Sequence, residues 1–295
     1  MEGVLLEGGL RLLPHPAAAL DDALLVADLH LGMEEALELE GVHLPYDLSG
    51  EVRRAVLGAL GELGAGRLII AGDLKHELGA GLRSEYEEVR ALVLGARELG
   101  AEVILVRGNH DNFIAPAVER LGGRVVEGPL EVGGCCVVHG HLDVDARALG
   151  CGCLVMGHEH PTVTLVDEVG LKHRFKAFLW GEAGGARVLV LPSPNPLAQG
   201  IPVNEVGRED LMSPILRRTG VDGFEVYALE PREAVVRLAT VGALRALLAE
   251  GRRSVSRRRG PVSPCARIPP GGSRPRRRTR SAPTPRRRGR RRCTP

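Results

Sequence analysis

Residues 102–111 read Glu-Val-Ile-Leu-Val-Arg-Gly-Asn-His-Asp, and the organisation of the chain can be worked outward from them. A short apolar run bounded by a glycine-containing polar cluster suits a strand buried on both faces rather than a helix. The cluster that ends it offers an amide, an imidazole and a carboxylate, donors that hard and borderline metal ions accept. The pattern recurs upstream, where Ala23–Ala27 runs into Asp28-Leu29-His30 and Arg67–Ala71 runs into Gly72-Asp73-Leu74-Lys75-His76-Glu77. Between these runs, Leu48–Leu63 and Ser84–Leu99 carry apolar residues at three- and four-residue spacing, which predicts two amphipathic crossover helices. The second is expected to open on a capping box, Ser84 with Glu87, and to stop before Gly100. Strand and helix alternating in this way give a parallel sheet, and such sheets gather ligands at the carboxyl ends of their strands.

The second half is strand-rich. Leu130–Val132, Cys135–His139, Cys153–Met156, Thr162–Val166, Lys176–Trp180 and Arg187–Leu191 read as strands, with Gly133-Gly134 and Gly184-Gly185 as turns. Two sheets packed face to face with helices outside are expected, an α/β arrangement over residues 1–236. Pro231–Glu250 is amphipathic and predicts a closing helix, with 237–250 as the C-terminal helical segment.

The 295 residues are 44% hydrophobic, enough for one sizeable core. No apolar run reaches the roughly 18 residues of a membrane span, and the N-terminus lacks a signal pattern, so a cytoplasmic location without a membrane partner is expected. Cysteines 135, 136, 151, 153, 265 and 293 lack the paired Cys-x-x-Cys spacing of a thiolate metal site and are expected to be free thiols, Cys135 and Cys136 packing one on each face of a strand.

The net charge of +2 conceals a division. Residues 251–295 hold 17 arginines and neither lysine nor acid, leaving 22 basic and 37 acidic residues to the body. An acidic body repels polyanions unless metal ions or local charges intervene. The Arg/Pro-rich tail cannot form a core and reads as disordered, either as an arm for a polyanion or as GC-rich coding sequence translated out of frame.

In order, the chain carries Asp28-Leu29-His30, Gly72-Asp73, Gly108-Asn109-His110-Asp111, Val138-His139-Gly140 and Gly157-His158-Glu159-His160. With Asp28 and His30 two apart on an extended segment, both side chains would point the same way. This ordered set, across roughly residues 24–192, resembles the calcineurin-like metallophosphoesterase superfamily. The wider text, Gly-Asp-Leu-Lys-His-Glu at 72–77 and the Leu191–Glu205 segment, is similar to its ICC-like and SbcD-related branch.

That resemblance implies a four-layer αββα sandwich and two divalent metal ions, Mn²⁺ foremost, with Zn, Fe, Co or Ni as substitutes. Asp28, His30 and His160 would hold one ion, Asn109, His139 and His158 the other, and Asp73 would bridge them. A hydroxide shared by the ions would attack phosphorus, with His110 as acid or transition-state stabiliser and Asp111 orienting it. His141 competes with His139 for the ligand role, or else orients a ligand. Lys75, His76 and Arg107 are candidates for phosphate oxygens, each with a plain alternative as a loop-end charge or ion-pair partner. His15, His43 and His173 match no motif and are expected in solvent. The implied substrate is a phosphomonoester or phosphodiester, a small molecule or nucleotide. A DNA nuclease is the alternative, a non-catalytic scaffold of the same fold ranks behind it, and a homodimer is compatible with the sequence.

Overall fold

In the computed structural model, which describes residues 3–44 and 46–258, two sheets face each other. The first runs in chain order from β1 (Val4–Leu5), β2 (Arg11–Leu12) and β3 (Ala18–Leu20) to β4 (Ala23–Val26), β5 (Arg67–Ile70), β6 (Glu102–Val106) and β7 (Arg124–Val126). Strands β1 to β4 pair antiparallel, and β4 to β7 pair parallel. The parallel part alternates with α1 (Met33–Leu39), α2 (Leu48–Leu63), α3 (Arg83–Glu98) and α4 (Ala115–Arg120). The expected crossover helices are α2 and α3.

Helix α3 starts differently from its expected capping box. Leu82 occupies the N-cap, and its N–H donates to the Glu85 carboxylate at 2.7 Å. Glu85, not Glu87, stands three residues on, while the Ser84 hydroxyl donates to Glu35. The C-terminal end agrees with the sequence: Gly100 adopts φ +85° and its N–H closes on the Arg97 carbonyl.

The second sheet contains β8 (Leu130–Val132), β9 (Cys135–Val138), β10 (Cys153–Met156), β11 (Pro161–Val166), β12 (Lys172–Ala183), β13 (Ala186–Val190) and β14 (Ile201–Pro202), in the order β14-β11-β12-β13-β10-β9-β8. Helix α5 (Pro214–Thr219) follows, and β15 (Glu225–Glu230) then joins β12 and pairs with β16 (Ala234–Thr240). The expected helix over Pro231–Glu250 is therefore part strand. Residues 234–240 pair with β15, their half-buried positions Val235, Leu238 and Thr240 interrupted by two successive exposed residues beside a shift in register, and α6 (Val241–Arg258) begins only after them. That helix carries the first residues of the expected tail, and residues 259–295 lie outside the described region.

Three apolar layers account for the stacking. Leu25, Ile69, Ile104, Val137, Val155, Trp180 and Leu189 pack between the sheets. Val52, Val56, Val89 and Val93 of α2 and α3 cover the outer face of the first sheet over Leu24, Leu68 and Val103. Ile215 and Leu216 of α5 and Val241 and Leu244 of α6 cover the second over Leu154, Leu179 and Val188. Each central strand is apolar on both faces because each face meets a layer. The architecture is the expected αββα sandwich.

Cys135 and Cys136 divide as expected, one toward the inter-sheet core and one outward. Their thiols, however, are not free. Cys135 is bonded to Cys153, its direct partner on β10, and Cys136 to Cys151. Parallel neighbouring strands bring the four residues within reach without any Cys-x-x-Cys motif. Among the described residues, no helix is long and apolar enough to cross a membrane.

Candidate metal centre

Five parallel strands end at one place. Beyond β4 come Asp28 and His30, beyond β5 Asp73, beyond β6 Asn109 and His110, beyond β9 His139, and beyond β10 His158 and His160. Their donor atoms form two groups. In one, His160 Nε2 lies 3.3 Å from Asp28 Oδ1 and 3.2 Å from His30 Nε2. In the other, His139 Nε2 lies 3.2 Å from Asp73 Oδ2, 3.1 Å from Asn109 Oδ1 and 3.2 Å from His158 Nδ1. Asp73 faces both groups, its Oδ2 also lying 4.0 Å from His30 Nε2 and 3.8 Å from His110 Nε2.

The backbone at these positions is unusual. Asp28 (φ 57°), His30 (44°), Asp73 (53°), His158 (69°) and His160 (45°) are left-handed. Such a conformation costs a side-chain-bearing residue ~1–2 kcal/mol and persists only where the surroundings enforce it. The sequence-based picture of Asp28 and His30 on an extended segment is thus replaced: they converge through two left-handed residues, not through strand alternation. Enforcement is visible in the hydrogen bonds. The N–H groups of Asp28 and His30 donate to the carbonyls of Gly72 and Asp73, both at 3.0 Å. The buried Asp111 carboxylate accepts from the N–H groups of Gly108 and Asp73 at 2.8 Å and of Leu74 at 2.9 Å. Gly157 is needed for close approach, since a Cβ there would stand 2.5 Å from Ala27 Cβ and 2.7 Å from Asp28 Oδ2.

Burial and mutual charge separate the titrations. Burial, then the adjacent His160, push His30 down to about 3. Burial, then His139, push His158 down to about 4. For His139, burial alone would act the same way, but its bond to Asp73 and the charge of Asp28 raise it to about 9. Burial likewise opposes ionisation of Asp28 and Asp73, yet His160 and His139 respectively hold these carboxyls below the usual range.

This donor set fits divalent cations. His139 donates its Nδ1–H to the Ala71 carbonyl at 2.9 Å, which turns Nε2 toward Asp73, Asn109 and His158, where a cation would take the place of the proton that the bond to Asp73 holds. Imidazole nitrogens and carboxylate or amide oxygens then face one another with too few protons to satisfy them all. A cation in each group resolves that conflict. Asp28 with His30 and His160, Asp73 with His139 and His158, and Asp73 with His30 and His110 each have ligand atoms mutually close enough for one ion.

No family model matches the sequence, and no curated protein matches it. Among solved structures, the Pseudomonas putida nuclease MPE is similar at 24% identity and TM-score 0.53, over 80% of this chain and 99% of that one. The fold is that of the metallophosphoesterases. The E. coli phosphoesterase Yfce overlaps at 18% identity and TM-score 0.34, over 74% of this chain and 98% of its own.

In this metallophosphoesterase fold the remaining sequence candidates fall in different places. His110 lies at the centre; its Nδ1 bonds to the His76 carbonyl and its N–H donates to Asp73 Oδ1 at 3.0 Å. Asp111 does not contact His110: its carboxylate is occupied by the three backbone N–H groups described above. His76 stands beside the centre, its ring 5.5 Å from His30 and 6.0 Å from His110. His141 flanks the other side, 5.2 Å from His139 and 6.2 Å from His158. Burial lowers the pKa of both His76 and His141.

Lys75 is fully buried, its ammonium bonded to the carbonyls of Glu77 and Gly79 and 4.0 Å from Glu85. Arg107 pairs with Glu127 and Asn112. His43 and His173 are exposed and His15 is half-buried. Sequence reasoning passed over Ser193, Asn195 and Lys176, which lie buried or half-buried behind Asp28 and His30. Nothing in their types suggests metal chemistry; the Pro-flanked Ser-Pro-Asn at 193–195 was the available signal.

Proposed function

We propose that this chain is a metal-dependent phosphoesterase that hydrolyses a phosphomonoester or phosphodiester. The observation that carries the reading is the convergence of seven donor side chains into two groups sharing Asp73. Asp28, His30 and His160 would hold one divalent ion, Asn109, His139 and His158 the other, with Asp73 between them and Mn²⁺ as the first ion to test. Bound there, the ions supply Lewis-acid neutralisation of phosphoryl charge and bring the pKa of a water from ~15.7 towards ~7.

The chain's own groups supply the rest. His110 directs its Nε2 into the centre while the His76 carbonyl holds Nδ1 and fixes the ring, the disposition of a group that stabilises developing charge or protonates the leaving oxygen. His76 and His141 flank the two groups and are placed to meet substrate oxygens. Asp111 acts through Asp73, fixing the backbone on which the shared carboxylate is carried. Lys75 and Arg107 are left out of the substrate set because their charges are already matched.

Hydrolysis of p-nitrophenyl phosphate and bis-p-nitrophenyl phosphate with added Mn²⁺ tests this. Turnover is expected from the full chain, and turnover that survives both Asp73→Ala and His110→Ala overturns it. The P. putida neighbour is a nuclease, so DNA is the second substrate to test. Against it stand the acidic body and the use of the chain after His160 for β11 to β16, α5 and α6. A DNA affinity that falls steeply with salt would favour the nuclease reading.

A further inference from the structure

In the segment Asp28-Leu29-His30, the N–H groups of the left-handed Asp28 and His30 bond to the carbonyls of Gly72 and Asp73, and the segment's own three carbonyls need other partners. All three are taken by one distant segment. The Ser193 hydroxyl donates to the Asp28 carbonyl at 2.7 Å, and Asn195 Nδ2 donates to the carbonyls of Leu29 at 3.0 Å and His30 at 2.9 Å. Both hydrogens of the Asn195 amide are thereby used, and its oxygen accepts from the Leu197 N–H at 2.9 Å, so the amide has only one orientation that fits. Asn195 N–H donates to the Ser193 hydroxyl at 3.1 Å, joining the two side chains. Behind them Lys176 donates its ammonium to the carbonyls of Ser193 and Asn195. Ser193 and Asn195 are both buried.

We propose that Ser193 and Asn195, backed by Lys176, are positioning residues that hold Asp28 and His30 in their left-handed conformation and thereby set the site formed by Asp28, His30 and His160. The proposal rests on the metal-centre reading above. It predicts an asymmetry that simple destabilisation does not: the brace touches the backbone of two ligands in one group and none of Asn109, His139 or His158. Losing an outer partner of a metal ligand typically weakens metal affinity by about 10–100-fold, and here that loss should fall on one ion alone.

The test is Mn²⁺ titration of the full chain by calorimetry, with metal counted after gel filtration. The wild type is expected to bind two ions. Asn195→Ala is expected to keep one at wild-type affinity and to weaken the other by about 10–100-fold. Ser193→Ala, which removes the bond to the Asp28 carbonyl and the one accepted from the Asn195 N–H but leaves the Asn195 amide on Leu29 and His30, serves where Asn195→Ala does not fold and should show a smaller shift of the same ion; Ser193→Thr, which keeps the hydroxyl, should restore it. Wild-type affinity for both ions in Asn195→Ala and Ser193→Ala, or equal weakening of both, overturns the brace. A wild type that binds two ions yet hydrolyses no phosphoester overturns the phosphoesterase reading and leaves the brace standing. A wild type that binds no divalent ion overturns both.

Discussion

The two sheets meet at the centre from opposite sides and bring different chemistry. Strands β4, β5 and β6 of the first deliver all the oxygen donors, Asp28, Asp73 and Asn109, together with His30 and His110. Strands β9 and β10 of the second deliver only imidazoles, His139, His158 and His160. Negative charge therefore resides on the first sheet, and the second supplies imidazole nitrogen. Each donor group draws on both sheets, so its geometry depends on how the inter-sheet core packs rather than on either sheet alone.

The largest expected effect comes from removing the carboxylate that faces both groups. Asp73→Ala should lower turnover by more than His110→Ala does and reduce the retained Mn²⁺, as counted by elemental analysis. His110→Ala should lower turnover by about 10²–10⁴-fold, the range for loss of a general acid, with both ions retained. Equal metal contents in the two variants would break the distinction between ligand and acid.

On the second sheet, reduction of the bridges should cost about 3 kcal/mol, the chain-entropy value for a loop of roughly 15–18 residues, since the nested pair adds little over one bridge. Urea unfolding with and without reductant measures it, and an unchanged midpoint would remove the bridges from the account. Gly157→Ala should cost about 1–3 kcal/mol by overpacking, because the added carbon meets Ala27 and Asp28 of the opposite sheet.

The smallest effect expected is in pH. In the metal-free chain His30 and His158 stay neutral to about 3 and about 4, whereas an unfolded chain protonates both below about 6.5. The unfolded state then binds more protons, and stability should fall as pH falls, by on the order of 1 kcal/mol from pH 6.5 to 5.5. His139 works in the other direction: its contribution, full below about 6.5, is lost as pH rises through about 9. A denaturation series from pH 5 to 10 without metal should therefore be dome-shaped. Excess Mn²⁺ should raise and broaden the dome by binding the folded state alone.

Much of the architecture was legible because the strands of the first sheet pair in chain order and announce themselves by apolar runs ending in polar clusters. The hairpin turns of the second half were legible through paired glycines. Residues 234–240 were misread because Val235, Leu238 and their neighbours satisfy a helical spacing about as well as the strand the chain adopts. For the candidate site, the identity of the clustered donors was legible and the means of holding them was not. Sequence does not show that Lys75 turns inward, that Asp111 serves backbone N–H groups, or that Asn195 reaches across 165 residues to the His30 carbonyl. Each depends on side-chain direction and on tertiary neighbours, which a residue's type does not encode. The cysteine pairing escaped for the same reason, being set by the register of β9 against β10.

That pairing also makes the covalent path of the molecule differ from its linear sequence. The stretch 141–150 between the paired cysteines includes the well-exposed Leu142, a natural point of attack for a protease. A cut there would leave the two pieces, one ending just past His139 and the other carrying His158 and His160, tied together by both bridges. Such a clipped protein would run as a single band on a non-reducing gel and as two on a reducing one, with its donor atoms still gathered at one place.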